Sequence, residues 1–392
     1  PEEKTEAETS TRRMLLLFMC AAASNFPDLD LVLYPLIAKP LGYLLHHRGH
    51  SHTFLWEIPQ ALLLFFGTML CWPKARRLVK SSVPAKRGAI LTLVLGFILH
   101  ISMDFLNSYG VHPLAPFDSH WYYGDMVFII EPIFWATLGV AAVMAFKNKY
   151  LKAFWLLFLL GIPAFATFKD YLPWLSLALL LGSAGAIAIV QARSKPRDVL
   201  ALSFAVAVAV AFIIVQGFAS ARAKEDIKYA LEKKDEGFRV LDSAVNSFPS
   251  NPLCWSYTTI SLNEHLGTYR LRNGVVSLKP DVLPVSKCSP GLFRGYMPDE
   301  NSPEYRAEIV YFGSFDGNWA EIKKLNQADC HFNAWMRFAR MPYVTSTSAV
   351  DLRFAVVSAR GNFTALNFEN FKNQACPTKV PQWIPPRQDL LN

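Results

Sequence analysis

The sequence predicts a polytopic α-helical membrane domain of about seven spans plus a re-entrant segment, followed by an α+β soluble domain. Three observations carry that prediction. Of 392 residues, 52% are hydrophobic and only 18% charged, and the apolar ones concentrate in the first 220 positions. Runs close to the roughly 18–20 residues that cross a bilayer recur through that half. Beyond position 220 the composition turns abruptly to apolar residues at helical and then alternating spacing, with charge between them.

The polar opening, residues 1–13, contains no methionine and reads as a fragment or a processed product, without a cleavable signal peptide. Six apolar runs follow at 54–72, 88–107, 126–146, 151–168, 171–192 and 199–220, and a shorter seventh at 14–26 needs upstream residues to complete it. Residues 31–45, "LVLYPLIAKPLGYLL", are apolar but broken by Pro35, Pro40 and Gly42, which fits a re-entrant or interfacial segment. The membrane domain is therefore expected over 14–220 and the soluble domain over 221–392.

A net charge of +8 would suggest nucleic acid as a partner in a soluble protein, but its placement explains it without one. Lys74, Arg76, Arg77, Lys80, Lys86 and Arg87 lie in 73–87, Lys147, Lys149 and Lys152 in 147–152, and Arg193, Lys195 and Arg197 in 193–198. The connection 108–125 has no Lys or Arg at all. The positive-inside rule places the basic loops and the N-terminus in the cytoplasm, and 25–53, 108–125 and everything after 220 on the opposite side.

The soluble part is expected to open with an amphipathic helix, "AKEDIKYALEKKDEGFRVLDSAVNSF". Strands follow at "GTYRLRNGVVSL", "AEIVYFGSF" and "AVDLRFAVVSA", with Asn273-Gly274 as a hairpin turn and a helix at "HFNAWMRFARM". Cys254, Cys288, Cys330 and Cys376 all fall in this exported part, so two disulfides are expected in one of three connectivities.

Seven of the nine histidines lie between 46 and 120. With nearby acids they form three clusters: Asp28 and Asp30 in "NFPDLD", four histidines in "HHRGHSHT", and His100 with Asp104 in "HISMD". By the orientation above, all three meet at one membrane face. His100 and Asp104, at i and i+4, emerge one above the other on a helix and can share an ion. Ionisable groups are expensive beside hydrocarbon unless paired or bound, so their gathering points to function. Imidazole and carboxylate without sulfur suit a divalent metal, zinc foremost, with manganese or iron also compatible.

The order "FPDLD", "HHRGHSHT" and "LGFILHISMDFLNSYGVHPLAPF", followed by "WYYGDMVFIIEPIFW", resembles the bacterial membrane-bound metal-dependent hydrolases of the YdjM/YbcI type. "NPLCW", 251–255, resembles a short motif at the start of that family's exported domain. The resemblance covers about 25–135 well and the rest in outline. It implies a multi-pass protein of the bacterial inner membrane and metal-ligand or active-site roles for Asp28, Asp30, His47, His52, His100 and Asp104, with Arg48 beside them. His46 and His50 fall where the family varies, and a Thr-His or Thr-Gln element ahead of the first Asp motif is missing here.

The resemblance implies a hydrolase, and the residues lead to the expectation of one or two divalent ions at the non-cytoplasmic face. Its substrate would be a phosphoester or related bond in a lipid, lipid-linked or envelope molecule. Bound metal would activate water, Arg48 would hold a phosphate oxygen, and Asp125 and Glu131 would move protons or support the ligands. A metal-ion transporter and a non-catalytic envelope protein with a structural metal are the rivals.

Overall fold

The computed structural model describes residues 6–193, 197–293, 295–354 and 362–392. Its contacts group the chain into two units. The first comprises Pro1–Tyr123, Ile322–Asp351 and Phe363–Asn392, and the second Gly124–Glu321 and Leu352–Asn362. The contacts thus divide the chain differently from its composition, which changes near position 220.

In the first unit, α1 (Glu6–Ala23) leads into a 3-10 run, Pro27–Leu36, and a short α2 (Leu41–His46). Three helices follow: α3 (Phe54–Cys71), α4 (Pro73–Ser81) and α5 (Val83–Phe105). Thr53 starts α3 by accepting the Trp56 N–H at 3.1 Å, and Ser82 starts α5 by accepting that of Ala85 at 3.3 Å. Leu15, Met19 and Ala23, one helical turn apart on α1, pack in one buried cluster with Ala89, Leu93 and Phe97 of α5. At their closest approach a Cβ on Gly96 would lie 2.6 Å from that of Ala23, so only glycine lets the two helices meet there. Helix α4 buries Ala75, Leu78 and Val79 and leaves Lys74, Arg76, Arg77 and Lys80 unburied, which is why a basic stretch forms a helix beside the bundle. The C-terminal pieces of this unit form a helix, Cys330–Met336, and an antiparallel sheet of Pro342–Val344, Ser348–Asp351 and Leu366–Asn367.

The second unit holds α6 (Pro132–Met144), α7 (Lys149–Phe168), α8 (Trp174–Arg193) and α9 (Arg197–Lys234). Strands β1 (Arg239–Phe248), β2 (Asn251–Asn263), β3 (Thr268–Ser277) and β4 (Ile309–Asn318) form an antiparallel sheet in sequence order. Of the amphipathic helix expected after 220, only the part up to Lys234 is helical; Gly237, at φ +80°, breaks the run, and Arg239–Phe248 pairs as β1 instead. The helical part is the far end of α9, whose 38 residues reach about 57 Å at 1.5 Å each, well beyond a bilayer core. There Ala223, Ile227 and Leu231 pack on Trp255, Tyr257 and Val276 of the sheet.

Among the described residues, six helices are long and apolar enough to cross a membrane. The run at 126–146 gives instead the short α6, about 20 Å long, because Glu131 caps it and Pro132 begins it. The first span starts upstream of the expected 14–26, at Glu6. The expected turn at Asn273-Gly274 lies instead inside β3. The hairpin closes at Glu264–Gly267, where Gly267 has φ +62°, and the β3–β4 register shifts between Asn273 and Gly274. Gly274 is needed because a Cβ there would lie 1.9 Å from the Val310 carbonyl oxygen. Of the expected strand "AVDLRFAVVSA", Ser348–Asp351 is a strand, and residues 355–359 lie outside the described residues, as does Lys195 of the third basic loop. The two disulfides are Cys254–Cys288 and Cys330–Cys376, one in each unit.

Candidate metal centre

The first unit gathers its acids and imidazoles from three elements. The 3-10 run presents Asp28 and Asp30, the connection between α2 and α3 presents His47 to His52, and the last turns of α5 present His100 and Asp104. The α1–α5 contact at Gly96 fixes the depth of His100, one turn further along. There the imidazole Nδ1 lies 2.8 Å from the carbonyl oxygen of Ser24, the residue after Ala23.

Four donor atoms converge. His52 Nε2 is 3.4 Å from Asp28 Oδ1 and 3.3 Å from Asp104 Oδ2, while His100 Nε2 is 3.7 and 3.6 Å from the same two oxygens. The two Nε2 atoms are 3.1 Å apart. The ligand atoms of Asp28, His52 and His100 all lie within 4.8 Å of one another, close enough to share one ion, with Asp104 Oδ2 beside both imidazoles.

Hydrogen bonding assigns the tautomers. His100 Nδ1 faces a carbonyl and must carry the proton. The Ser51 hydroxyl donates to Asp30 Oδ2 at 3.0 Å and lies 2.9 Å from His52 Nδ1, so it accepts the proton on that nitrogen. Both Nε2 atoms therefore turn lone pairs towards each other, an arrangement that a cation between them resolves. Asp104 Oδ2, buried and without a hydrogen-bond partner, completes the demand for positive charge. Burial pushes the His52 imidazole down, but the carboxylates of Asp104 and Asp28 raise it, and the net shift is upward. The residues fit a divalent ion.

Around these donors lies a second layer. Asp30, fully buried, accepts the Arg48 backbone N–H at 3.1 Å and faces His47 Nδ1 at 3.2 Å and His52 Nδ1 at 3.4 Å. Its oxygens are spent on orienting the histidine loop, so Asp30 is not among the converging donors. His47 is held by Asp30 and stacks on Tyr43 at 5.0 Å, with its ring centroid 5.8 Å from that of His52. The Arg48 guanidinium pairs with Asp104 Oδ1 at 2.8 Å and donates to Asn107 Oδ1 at 3.0 Å, while lying over the Tyr109 ring. It steers Asp104 rather than offering a free fork to a phosphate.

Residues 3–172 match the family model of the YdjM inner membrane protein. No curated protein and no solved structure matches the chain. The YdjM match contains all three clusters and ends before the β1–β4 sheet, so it does not reach the "NPLCW" stretch at 251–255.

The two remaining acids expected in the site have other partners. Asp125, fully buried with φ +52°, pairs with Lys224 Nζ at 2.7 Å, and its carbonyl accepts the Ser220 hydroxyl. Glu131 accepts the N–H groups of Ser250 at 2.9 Å and Ile133 at 3.2 Å. Both belong to the second unit, where they tie residues 124–131 to α9 and to the β1–β2 turn. Neither is among the converging donors.

Sequence reasoning missed Ser51 and Asn107, although each sits within three positions of a predicted ligand. The Ser24 carbonyl carries no side-chain signal at all. A second group, Asp329, Cys330 and His331, has ligand-type atoms close together. Cys330 is spent in a disulfide and Asp329 caps the following helix, so this group is structural.

Proposed function

We propose that this YdjM-type chain is a metal-dependent hydrolase acting at the non-cytoplasmic membrane face on a phosphoester or related bond of a lipid or lipid-linked substrate. The observation that carries the reading is the pair of Nε2 lone pairs 3.1 Å apart, flanked by two carboxylates. A bound divalent ion, zinc by the donor chemistry, would supply Lewis acidity and an activated water there. Asp28, His52, His100 and Asp104 would hold it, Arg48 would keep Asp104 aimed, and Asp30 would keep His52 in the required tautomer.

Access favours a lipid. The Asp28 side chain is 47% exposed, against 0% for His52 and 13% for Asp104, so the centre opens along the 3-10 run. That run also exposes Leu29, Leu31, Val32 and Leu36, a surface suited to acyl chains rather than to a soluble substrate. The basic stretch 73–87, at the ends of α3 and α5 opposite the centre, supports placing it on the outer face.

The test is metal content of the purified protein and of His52→Ala and Asp104→Ala, with hydrolysis of a phospholipid in detergent before and after chelation. Both variants are expected to lose metal, and chelation to stop turnover. Wild-type metal content in both variants would remove the centre, and hydrolysis indifferent to chelation would remove the chemistry.

A further inference from the structure

The histidine loop is gripped from two sides. Inside, Asp30 holds the Arg48 N–H. On the other side stands Trp383, more than 200 residues beyond the family match, in the C-terminal segment of the same unit. Its indole N–H donates to the Leu45 carbonyl at 2.9 Å, and its ring stacks on His112 at 3.9 Å and lies 4.7 Å from the His50 ring. A Cβ on Gly49 would lie 3.1 Å from Trp383 Cζ2, so the loop backbone is packed directly on the indole. Between these grips Arg48 adopts φ +56°, a conformation that a non-glycine residue keeps only when its surroundings impose it.

The tryptophan is itself anchored. Arg337 donates to the Pro381 carbonyl at 3.0 Å and to Gln382 at 2.8 Å, and the Ile384 N–H donates to the Ser119 carbonyl at 3.0 Å. Trp383 is 3% exposed.

We infer that Trp383 is a positioning residue for the metal centre: by locking the Leu45–His50 backbone it fixes Arg48, and through Arg48 and the following turn the aim of Asp104 and His52. This rests on the metal reading above. Without the indole, the outer wall of the loop is gone and the strained turn at Arg48 relaxes away from Asp104.

The test is Co²⁺ titration of the full-length protein in detergent, reading affinity and the visible ligand-field spectrum. Trp383→Ala is expected to weaken Co²⁺ binding about 10- to 100-fold, the range for loss of a supporting partner, and to alter the spectrum. Trp383→Phe keeps an aromatic wall but loses the bond to Leu45, so a smaller, several-fold loss is expected. It carries the test alone if the alanine variant does not fold. Trp335→Phe is the control. It loses a comparable indole bond, to the Thr364 carbonyl at 2.8 Å, in the same unit, and is expected to keep the wild-type spectrum. Wild-type affinity and spectrum in folded Trp383 variants would overturn the inference alone, as would an equal change in Trp335→Phe. A wild-type protein that binds no Co²⁺ would overturn it together with the metal reading.

Discussion

Substituting Asp30 separates a ligand from a residue that orients ligands. The carboxylate has four contacts: the Arg48 N–H at 3.1 Å, the Ser51 hydroxyl at 3.0 Å, His47 Nδ1 at 3.2 Å and His52 Nδ1 at 3.4 Å. Three of the four converge on Oδ2. Asn can keep an acceptor at that position and turn its amide towards His47, which accommodates it by switching tautomer. The change then costs the charge assistance rather than the contacts, and metal affinity should fall about tenfold, or about 1.4 kcal/mol. Ala removes every acceptor, frees the His52 tautomer and leaves the Arg48 N–H buried and unpaired. The loss should approach 100-fold, or about 2.7 kcal/mol. Competition titration against a chelator of known affinity measures both. Affinities within twofold of wild type would show that Asp30 does not orient the loop. Loss in Asp30→Ala as complete as in His52→Ala would make Asp30 a ligand.

Three further outcomes follow from packing and charge. Gly96→Ala places a methyl 2.6 Å from Ala23 Cβ, so it should destabilise the protein by about 1–3 kcal/mol and also weaken metal binding by moving the Ser24 carbonyl from His100, seen in thermal unfolding and metal titration together. A Cys254→Ser, Cys288→Ser double variant opens a link across 34 residues, worth about 4 kcal/mol of chain entropy, and denaturant unfolding followed by circular dichroism should move accordingly while metal content stays unchanged. Burial between Trp121 and Trp383 pushes His112 down to about 3, far below the unfolded value of about 6.5, so folding keeps it neutral. Its stability contribution is intact above pH 6.5 and is lost as pH falls towards 3; between pH 7 and 5 the loss is about 2 kcal/mol, and His112→Phe should remove that part of the slope in unfolding measured at both pH values.

The histidine and aspartate clusters were legible because metal-type residues are conspicuous against an apolar background, and the i, i+4 spacing of His100 and Asp104 already placed them on one helix face. Their division of labour was not. Asp28 and Asp30 look equivalent in sequence, yet one is 47% exposed and faces the imidazoles while the other is sealed beneath the loop. Asp125 and Glu131 resembled proton carriers by type and neighbourhood, but Lys224 and Ser250, some hundred residues away in the chain, claim them. At Asn273-Gly274 the local turn preference was overruled by the Val310 backbone, which needs the space a side chain would fill.

Composition and periodicity by themselves determined that the chain is multi-pass, that a sheet-bearing region follows, that four cysteines pair, and which residue types could hold an ion. These properties depend on local pattern and solvent preference, and both are written along the chain. Only the tertiary structure decided which oxygens face the imidazoles, which way the tautomers point, and that Trp383 backs the histidine loop. Those depend on contacts between residues tens to hundreds of positions apart, where a shift of one ångström exchanges a ligand for a support.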